Sequence, residues 1–304
     1  MNLYNLNKSQ LKEIKSQPFK LEKDIQQIAE SNLQMLFGLE FVKTEFQLNG
    51  LRIDTLAFDK QSNAFVIIEY KKAKSFSVVD QGYSYLSLLL NNKADFILEY
   101  QEQSGKILKR NEVDWSQSRV VFIAPQFTTY QKQSIEFKDL PFELWEIKRY
   151  EKDLIMFNQH KSNSQVSVNT ISNKDERAQQ VSEEIKVYTE EDHLAKASEA
   201  TKELYIDLKE RITALDEVEI NPVKQYIGFK VGKKIFCDLE IQKKQLKMRI
   251  NLKQGDLDDH KEMFRDVSNV GHWGLGHYEA LIVPDTDLDY LMSLIKQSYK
   301  FHEG

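Results

Sequence analysis

The chain has 304 residues and a mass of 35.7 kDa, and at about 150 residues per domain this length predicts two globular units. Hydrophobic residues make up 41% of the sequence and charged residues 29%, a balance that supplies apolar cores and excludes a wholly disordered protein. The net charge of −5 argues against a protein that coats a polyanion with its whole surface, although it leaves room for a local basic patch.

The location in the cell is predicted from what the sequence lacks. No apolar run approaches the roughly 18 residues that a membrane-spanning helix needs, so no membrane partner is expected. Residues 1–12 contain no apolar segment followed by a small-residue cleavage site, which an export signal would have. The single cysteine, Cys237, cannot form an internal disulfide or a thiolate zinc site. We therefore expect a cytoplasmic protein.

The first half of the chain alternates helical and extended patterns. Apolar residues at helical spacing over residues 19–37 predict a core-facing helix that ends at Gly38. An extended run at residues 44–59 is divided by the turn at Asn49 and Gly50. The elements predicted next are a strand at residues 64–70, a helix after Ser77, strands at 94–100 and 119–124, a helix near 128–137, and strands at 142–150 and 154–158.

The order of these elements predicts the domain organisation. Residues 1–159 are expected to form an α/β domain with a mixed sheet. Residues 160–188 are rich in Ser, Asn, Gln and charged residues, which predicts a solvated linker. Residues 189–304 predict a second, smaller α+β domain with helices at 192–215 and 286–299, a strand meander at 226–252 and a strand at 278–283.

The residues most informative about chemistry are Asp54 and the segment Glu69-Tyr70-Lys71. The two acids lie on predicted strands separated by one turn, so strand pairing can bring their carboxylates together. Side chains alternate along a strand, and Glu69 and Lys71 therefore point to the same face. Two carboxylates and the backbone carbonyl of Tyr70 form the hard-oxygen environment that Mg²⁺ prefers, and a nearby lysine can orient water or offset charge on a phosphate. A surface hairpin with an incidental ion pair is the plain structural alternative.

The pattern of Asp54, a strand turn, Glu69 and Lys71 resembles the PD-(D/E)XK nuclease superfamily, with Ile53 standing in place of the proline that names the motif. The resemblance implies a restriction-endonuclease-like α/β core and hydrolysis of phosphodiester bonds. It also implies a Mg²⁺ or Mn²⁺ ion held by Asp54, Glu69 and the carbonyl of Tyr70, with Lys71 as a catalytic residue.

Two further features of the resemblance lie on the flanking helices. The superfamily tends to carry an acid on the helix before these strands, and of Glu22 and Glu30 we favour Glu22. Gln81 and Tyr85 lie four residues apart on the next predicted helix and hence on one face, similar to the Gln-x3-Tyr pair with which RecB-like nucleases position substrate or metal-site residues. Over residues 21–96 the chain looks like the nuclease domain of restriction and repair proteins, including the NucS-type and Holliday-junction groups.

The second half carries a separate resemblance. Residues 223–230, 265–274 and 287–291 are similar to a C-terminal domain of unknown function that accompanies such nuclease-like domains and is sometimes labelled a predicted transport protein. Residues 224–253 hold nine basic residues against two acids, which predicts a positive stripe that contacts phosphates. A solvated sheet face is the alternative. The candidate nucleic-acid-binding residues are Lys72, Lys74, Lys233, Lys234, Lys243, Lys244, Lys247, Arg249 and Trp273.

Metal-dependent hydrolysis of nucleic acid, with DNA as the preferred substrate, is the leading function, in repair, restriction or defence. The competing hypothesis is a catalytically inactive nuclease fold that binds nucleic acid or a protein partner, and a requirement for divalent metal separates the two. A small-molecule binder or transport accessory ranks last, because a ligand cavity cannot be read from sequence. The sequence leaves open DNA or RNA, the strandedness and sequence of the substrate, and the oligomeric state, for which a homodimer is one option.

Overall fold

The computed structural model of the protein describes residues 3–72, 77–136, 140–161, 176–268 and 276–303. The chain divides into two compact units, Met1–Val187 and Tyr188–Gly304, and each unit contains its own large sheet. Within the described ranges, no helix is both long enough and apolar enough to cross a membrane.

The first unit is built on a mixed sheet, as the sequence predicts. A separate hairpin of β1 (Leu3–Asn7) and β2 (Gln10–Ile14) precedes this sheet. The strands of the sheet are β3 (Ser16–Gln17), β4 (Glu40–Leu48), β5 (Leu51–Asp59), β6 (Ala64–Tyr70), β7 (Arg119–Ala124), β8 (Phe142–Tyr150) and β9 (Ile155–His160). β4, β5 and β6 pair antiparallel, β6, β7 and β8 pair parallel, and β3 and β9 pair antiparallel with β8.

Helices cover both faces of this sheet. They are α1 (Glu22–Glu30), α2 (Leu33–Phe37), α3 (Val78–Asn91), α4 (Lys93–Ser104), α5 (Thr129–Ser134) and α6 (Glu176–Glu184). α1 and α2 bury Ile25, Ala29 and Leu33 in a core on one face, while α3, α4 and α6 contribute to a core on the other. Every residue of β6 is buried, because this central strand is covered on both sides. Its β-branched run predicts this burial.

Two of the elements predicted for the first unit differ in the structure. Residues 94–100, predicted as a strand, form part of helix α4. The prediction is wrong because the buried residues, Phe96 and Tyr100, are four apart and face the core once per helical turn. The helix predicted over residues 19–37 is divided in two between α1 and α2 at Ser31 and Asn32, which interrupt the apolar spacing.

The segment predicted as a linker is described from residue 176 onward, and there it contains helix α6 and a stripe of buried residues. α6 packs on α3, and Ala178, Val181 and Ile185 are buried in the same core as the helices of the first unit. Ala178, Val181 and Ile185 recur at spacings of three and four, so one stripe of this otherwise polar helix faces the core. At least this part of residues 160–188 therefore belongs to the first unit.

A chain that ends at Val187 is expected to be more stable than one that ends at Gln159. Burial of Val181 and Ile185 at roughly 1.5–3 kcal/mol each predicts a difference of about 3–6 kcal/mol in the free energy of unfolding. Urea denaturation followed by circular dichroism measures it, and a chain ending at residue 175 is the control expected to match the shorter one. Equal stability of all three chains would show that α6 adds nothing to the first unit.

The second unit is an antiparallel sheet with helices on one face, which agrees with the α+β prediction. The strands are β10 (Val218–Pro222), β11 (Ile227–Val231), β12 (Lys234–Ile241), β13 (Leu246–Ile250), β14 (Arg265–Asp266) and β15 (Tyr278–Ile282), and the helices are α7 (Glu190–Leu194), α8 (Glu199–Thr213) and α9 (Leu288–Glu303). The helical pattern predicted at residues 192–215 is split because Ser198 caps α8, with its hydroxyl accepting the Thr201 N–H.

Candidate active site

Asp54 and Glu69 lie side by side on adjacent antiparallel strands. β5 and β6 pair Thr55 with Ile68, and Asp54 and Glu69 are one residue further along that register. The Tyr70 N–H donates to Asp54 Oδ2 over 3.0 Å, which fixes the Asp54 side chain at the end of β6. The two acids are only 8% and 3% exposed. Two carboxylates from one β-hairpin are thus held together in the interior.

Three side chains donate hydrogen bonds to the Glu69 carboxylate. Lys71 Nζ lies 2.5 Å from Oε1, Gln81 Nε2 donates to Oε1 over 2.8 Å, and the Tyr85 hydroxyl donates to Oε2 over 2.8 Å. Gln81 also donates to the Tyr85 oxygen over 3.1 Å. Gln81 and Tyr85 are one turn apart on α3, so this helix clamps both oxygens of Glu69.

Burial and mutual repulsion change the acidity of this cluster. Burial raises the pKa of the Asp54 carboxyl to about 7, and the charge of Glu69 acts in the same direction, while the Tyr70 N–H and Lys71 oppose it. Burial also raises the pKa of the Tyr85 phenol well above its ordinary value, so this hydroxyl stays protonated and donates. The site holds more negative charge than its own cation offsets, which favours a bound positive ion.

Asp54→Asn is expected to stabilise the metal-free protein at pH 8. The Asp54 pKa rises on folding from 3.8 to about 7, so between these values the folded state retains a proton that the unfolded chain has lost. The contribution of Asp54 to the free energy of unfolding is therefore fully present below about pH 4 and is lost as the pH rises through 7. At about 1.4 kcal/mol per pKa unit this rise corresponds to roughly 4 kcal/mol, so thermal unfolding in EDTA should show a gain of about 10 °C at pH 8 and little gain at pH 4. A gain of equal size at both pH values would contradict this.

A second polar cluster lies on the opposite face of the same strands. Gln26 Nε2 is within 3.0 Å of the Asp54 carbonyl oxygen and of Glu30 Oε1. The Thr55 hydroxyl donates to Glu30 Oε1 over 2.5 Å and lies 3.1 Å from the Tyr70 hydroxyl. This cluster ties α1 to the backbone that carries the two acids. Sequence reasoning missed it, although Gln26 and Glu30 stand four apart and hence on one face of α1, which is the signal for such a contact.

The structure separates the two acids considered on the preceding helix. Glu22 is exposed near the end of β6, where its Oε2 accepts the Lys72 N–H over 2.7 Å, and its charge contributes to the raised pKa of Asp54. Glu30 faces the other side of the sheet, as its bond to Thr55 shows. Lys72 is exposed beside the site, with its Nζ on the Lys20 carbonyl. Lys74 lies outside the described residues.

The cation-binding capacity of the site rests on two carboxylates. In the described part of the chain, no group of three or more His, Cys, Asp and Glu side chains is arranged to hold a metal ion. Asp54 and Glu69 nevertheless fit a hard divalent cation, because Mg²⁺ commonly binds through one or two carboxylates and keeps several waters. The Tyr70 carbonyl is the third donor that the sequence predicts.

The basic residues predicted to bind nucleic acid in the second unit are not gathered on one surface. Lys233 lies in the turn before β12 and Lys234 is its first residue, whereas Lys243 and Lys244 lie in the turn after it. The two pairs thus lie at opposite ends of this strand, roughly 25 Å apart. Trp273 lies outside the described residues.

Two more of the basic residues predicted to bind nucleic acid, Arg249 and Lys247, lie against carboxylates of the second unit. Arg249 is 2% exposed, and its guanidinium donates to Asp238 and Glu240 over 2.9 Å each. Lys247 Nζ lies 3.6 Å from Glu240 and 3.9 Å from Glu279. In these positions the two cations bind the sheet's own acids, and their role in nucleic-acid binding stays a prediction.

Comparison with known proteins gives one full-length relative. An uncharacterized protein of Haemophilus influenzae is 50% identical over 302 residues, which cover 99% of this chain and 100% of the relative. The chain belongs to the same family as this protein. Residues 190–302 also match the family model of a domain of unknown function, DUF5655, which corresponds to most of the second unit.

Two solved structures show partial similarity. One is a repair endonuclease from Pyrococcus abyssi, with a TM-score of 0.24, 17% identity, and coverage of 40% of this chain and 44% of that chain. The other is an EndoMS complex with double-stranded DNA, with a TM-score of 0.23, 14% identity, and coverage of 40% and 43%. Overlaps of this size carry no argument about activity, which has to rest on the geometry of the site.

Proposed function

We propose that the protein is a nuclease that hydrolyses phosphodiester bonds of nucleic acid, with DNA as its substrate, in a reaction that depends on Mg²⁺ or Mn²⁺. The observation that most supports this is the buried pair of acids, Asp54 and Glu69, together with the ion pair between Lys71 and Glu69. Buried acids that repel one another are costly unless a cation is shared between them. A structural ion pair needs only one acid and one base, whereas this site has an additional acid that a metal ion would compensate.

Each residue of the site has a role in this proposal. Asp54, Glu69 and the Tyr70 carbonyl would hold the cation, which when bound would lower the pKa of a water and neutralise charge on the phosphate. Lys71 has an ammonium group that can turn from Glu69 toward a phosphate oxygen or the attacking water and stabilise negative charge as it develops. Gln81 and Tyr85 keep Glu69 in place by hydrogen bonds to both of its oxygens.

The approach of the substrate follows from what is exposed at this end of the sheet. Lys72 is exposed immediately after β6, where an ammonium group can contact a phosphate next to the scissile one. Glu22 lies against the backbone of Lys72 and can accept a hydrogen bond from a water at the rim of the site. A role in repair, restriction or defence is the expectation that the superfamily resemblance adds to this geometry.

One observation favours the inactive alternative. Lys71 already neutralises Glu69, and with Gln81 and Tyr85 it satisfies both oxygens of that carboxylate. A protein of this fold that only binds nucleic acid or a protein would show the same closed cluster. It would differ in its response to metal, because binding would not require the divalent ion.

Full-length protein incubated with duplex and single-stranded DNA and RNA of one sequence tests the proposal. We expect DNA fragments in Mg²⁺ or Mn²⁺ and none in EDTA, with all products lost in Asp54→Asn and Glu69→Gln prepared in the same way. Fragments that persist in both variants would indicate a contaminating nuclease. If no nucleic acid is cut under any metal condition and binding is the same in EDTA, the inactive alternative is correct.

A further inference from the structure

The hairpin of β1 and β2 lies at the same end of the sheet as the candidate active site. At Arg149 of β8, β9 is paired along one edge and Gln17 of β3 is paired along the other. That second edge is the one along which β7 pairs with the earlier residues of β8, Phe142–Glu146. β3 therefore continues the line of β7 beyond Ala124, beside the end of β6. This places the start of β3 past the strand end that carries Glu69.

The register gives the distance along the strands. Tyr70, Ile123 and Trp145 are paired in one row across β6, β7 and β8, and Gln17 is paired with Arg149, four residues further along β8. At about 3.3 Å per residue, β3 lies roughly 13 Å beyond the row of Tyr70. The last residue of the hairpin, Ile14, is separated from β3 by Lys15 alone, so the base of the hairpin lies at the end of the sheet where Asp54 and Glu69 lie.

The hairpin makes its own two-stranded sheet and has little cover. Residues 4–13 are exposed, and only Leu3 and Ile14 at its base are half-buried. A two-stranded hairpin is marginally stable by itself in water. The register places Leu6 opposite Leu11, and apolar cross-strand neighbours stabilise such a ribbon. An exposed ribbon beside a catalytic site has the form of a substrate-contacting arm.

The two faces of this ribbon differ in chemistry. Pairing places Asn5 opposite Lys12 and Asn7 opposite Gln10, so one face carries three amides and a lysine, because side chains alternate along a strand. The turn adds exposed Lys8, whose φ is 55°. Residues 3–14 contain two lysines and one glutamate, and Lys15 follows directly, so the ribbon and its junction with β3 carry an excess of two positive charges in a chain whose net charge is −5. The ribbon thus complements a polyanion.

We propose that the hairpin Leu3–Ile14 inserts into the major groove of double-stranded DNA and sets the register of the duplex relative to Asp54 and Glu69. The B-form major groove, about 12 Å wide, admits a two-stranded ribbon, and Asn and Gln side chains pair with adenine edges there. The major groove of A-form RNA is too narrow to be read in this way. Lysines at the turn and on β2 contact phosphates. This inference rests on the proposed function and adds the class of substrate: duplex DNA.

Fluorescence anisotropy with a labelled 24-base-pair DNA duplex in EDTA tests the inference with full-length protein. Lys8→Ala/Lys12→Ala should bind about tenfold more weakly at 0.1 M salt, with the slope of log affinity against log salt reduced by about two. Asn5→Ala/Asn7→Ala should bind the same duplex more weakly but keep the salt slope. Duplex RNA should bind weakly to all of them.

The matched control is Lys109→Ala/Arg110→Ala, which removes two exposed positive charges at the opposite end of the sheet. The loop that contains them leads to Asp114, whose N–H donates to the Asn63 carbonyl in the turn before β6. This variant should bind duplex DNA as wild type does. Thermal midpoints of all variants should match wild type, because the replaced side chains are exposed.

Failure of this inference differs from failure of the proposed function. Wild type that cuts DNA while the hairpin variants bind and cut equally well would overturn the inference alone. If binding of duplex DNA depends on the hairpin but no cleavage occurs in Mg²⁺, the proposed nuclease activity is wrong and the DNA-binding role of the hairpin stands. If Leu6→Glu/Leu11→Glu converts a dimer to a monomer and the lysine variants keep full affinity, the hairpin covers a second copy of the chain and the inference is wrong.

Discussion

Lys71→Met is expected to lower the rate of DNA hydrolysis by about 10²- to 10⁴-fold, the range for loss of a positioned catalytic group, while Mg²⁺ affinity stays equal or rises. The ammonium group lies on Glu69 Oε1 in the metal-free site, so removing it leaves that carboxylate more negative toward a cation. When a residue acts on water and phosphate and does not bind the ion, its removal lowers the rate without weakening metal binding.

Single-turnover cleavage and calorimetric Mg²⁺ titration of the same preparation measure the two quantities. Lys109→Met, at the other end of the sheet, is the control and should match wild type in both. Weaker Mg²⁺ binding together with an unchanged rate would mean that Lys71 has a structural role, and that another group assists the reaction.

Asp54→Asn and Glu69→Gln are each expected to abolish hydrolysis and to weaken Mg²⁺ binding by at least about tenfold, because each removes one of two carboxylate donors. The two variants are close in shape to wild type. In Asp54→Asn the side-chain amide oxygen can still accept the Tyr70 N–H, which the Asp54 carboxylate accepts over 3.0 Å. Loss of activity would therefore report charge and not misfolding.

Calorimetry and cleavage assays at pH 8 check this, since the Asp54 carboxyl, with a pKa of about 7, is mostly ionised there. Asp95→Asn, on the exposed side of α4, is the matched control and should behave as wild type. Mg²⁺ affinity that is unchanged in both site variants would remove Asp54 and Glu69 from metal binding.

The parts of the fold that sequence predicts are those in which one periodicity is uninterrupted. The all-buried β6 and the turn at Asn49 and Gly50 follow from short-range patterns. Residues 94–100 are harder, because a short apolar segment fits a strand and a helix alike, and only the buried pair Phe96 and Tyr100 distinguishes them. Helix α6 looks like a linker by composition, since only one narrow stripe of it is apolar.

In the candidate site, too, contacts between residues close in sequence could be predicted and contacts between distant segments could not. Asp54 and Glu69 could be placed together because strand pairing and alternation fix neighbours across one turn, and Gln81 and Tyr85 because one helical turn separates them. Contacts between distant segments could not be placed. Gln26 reaches the Asp54 carbonyl from α1, and the meander distributes the lysines of residues 224–253 over three strands and the segments that connect them. The β1–β2 hairpin escaped prediction because its exposed strands lack a buried, alternating face.

The most direct test of the central claim is the position of Mn²⁺ in a crystal of the full-length protein, located by anomalous diffraction. The proposed function predicts a peak about 2.0–2.3 Å from one oxygen each of Asp54 and Glu69, with the Lys71 ammonium displaced from Glu69. A map without a peak between these carboxylates, at a Mn²⁺ concentration that supports cleavage in solution, would contradict it.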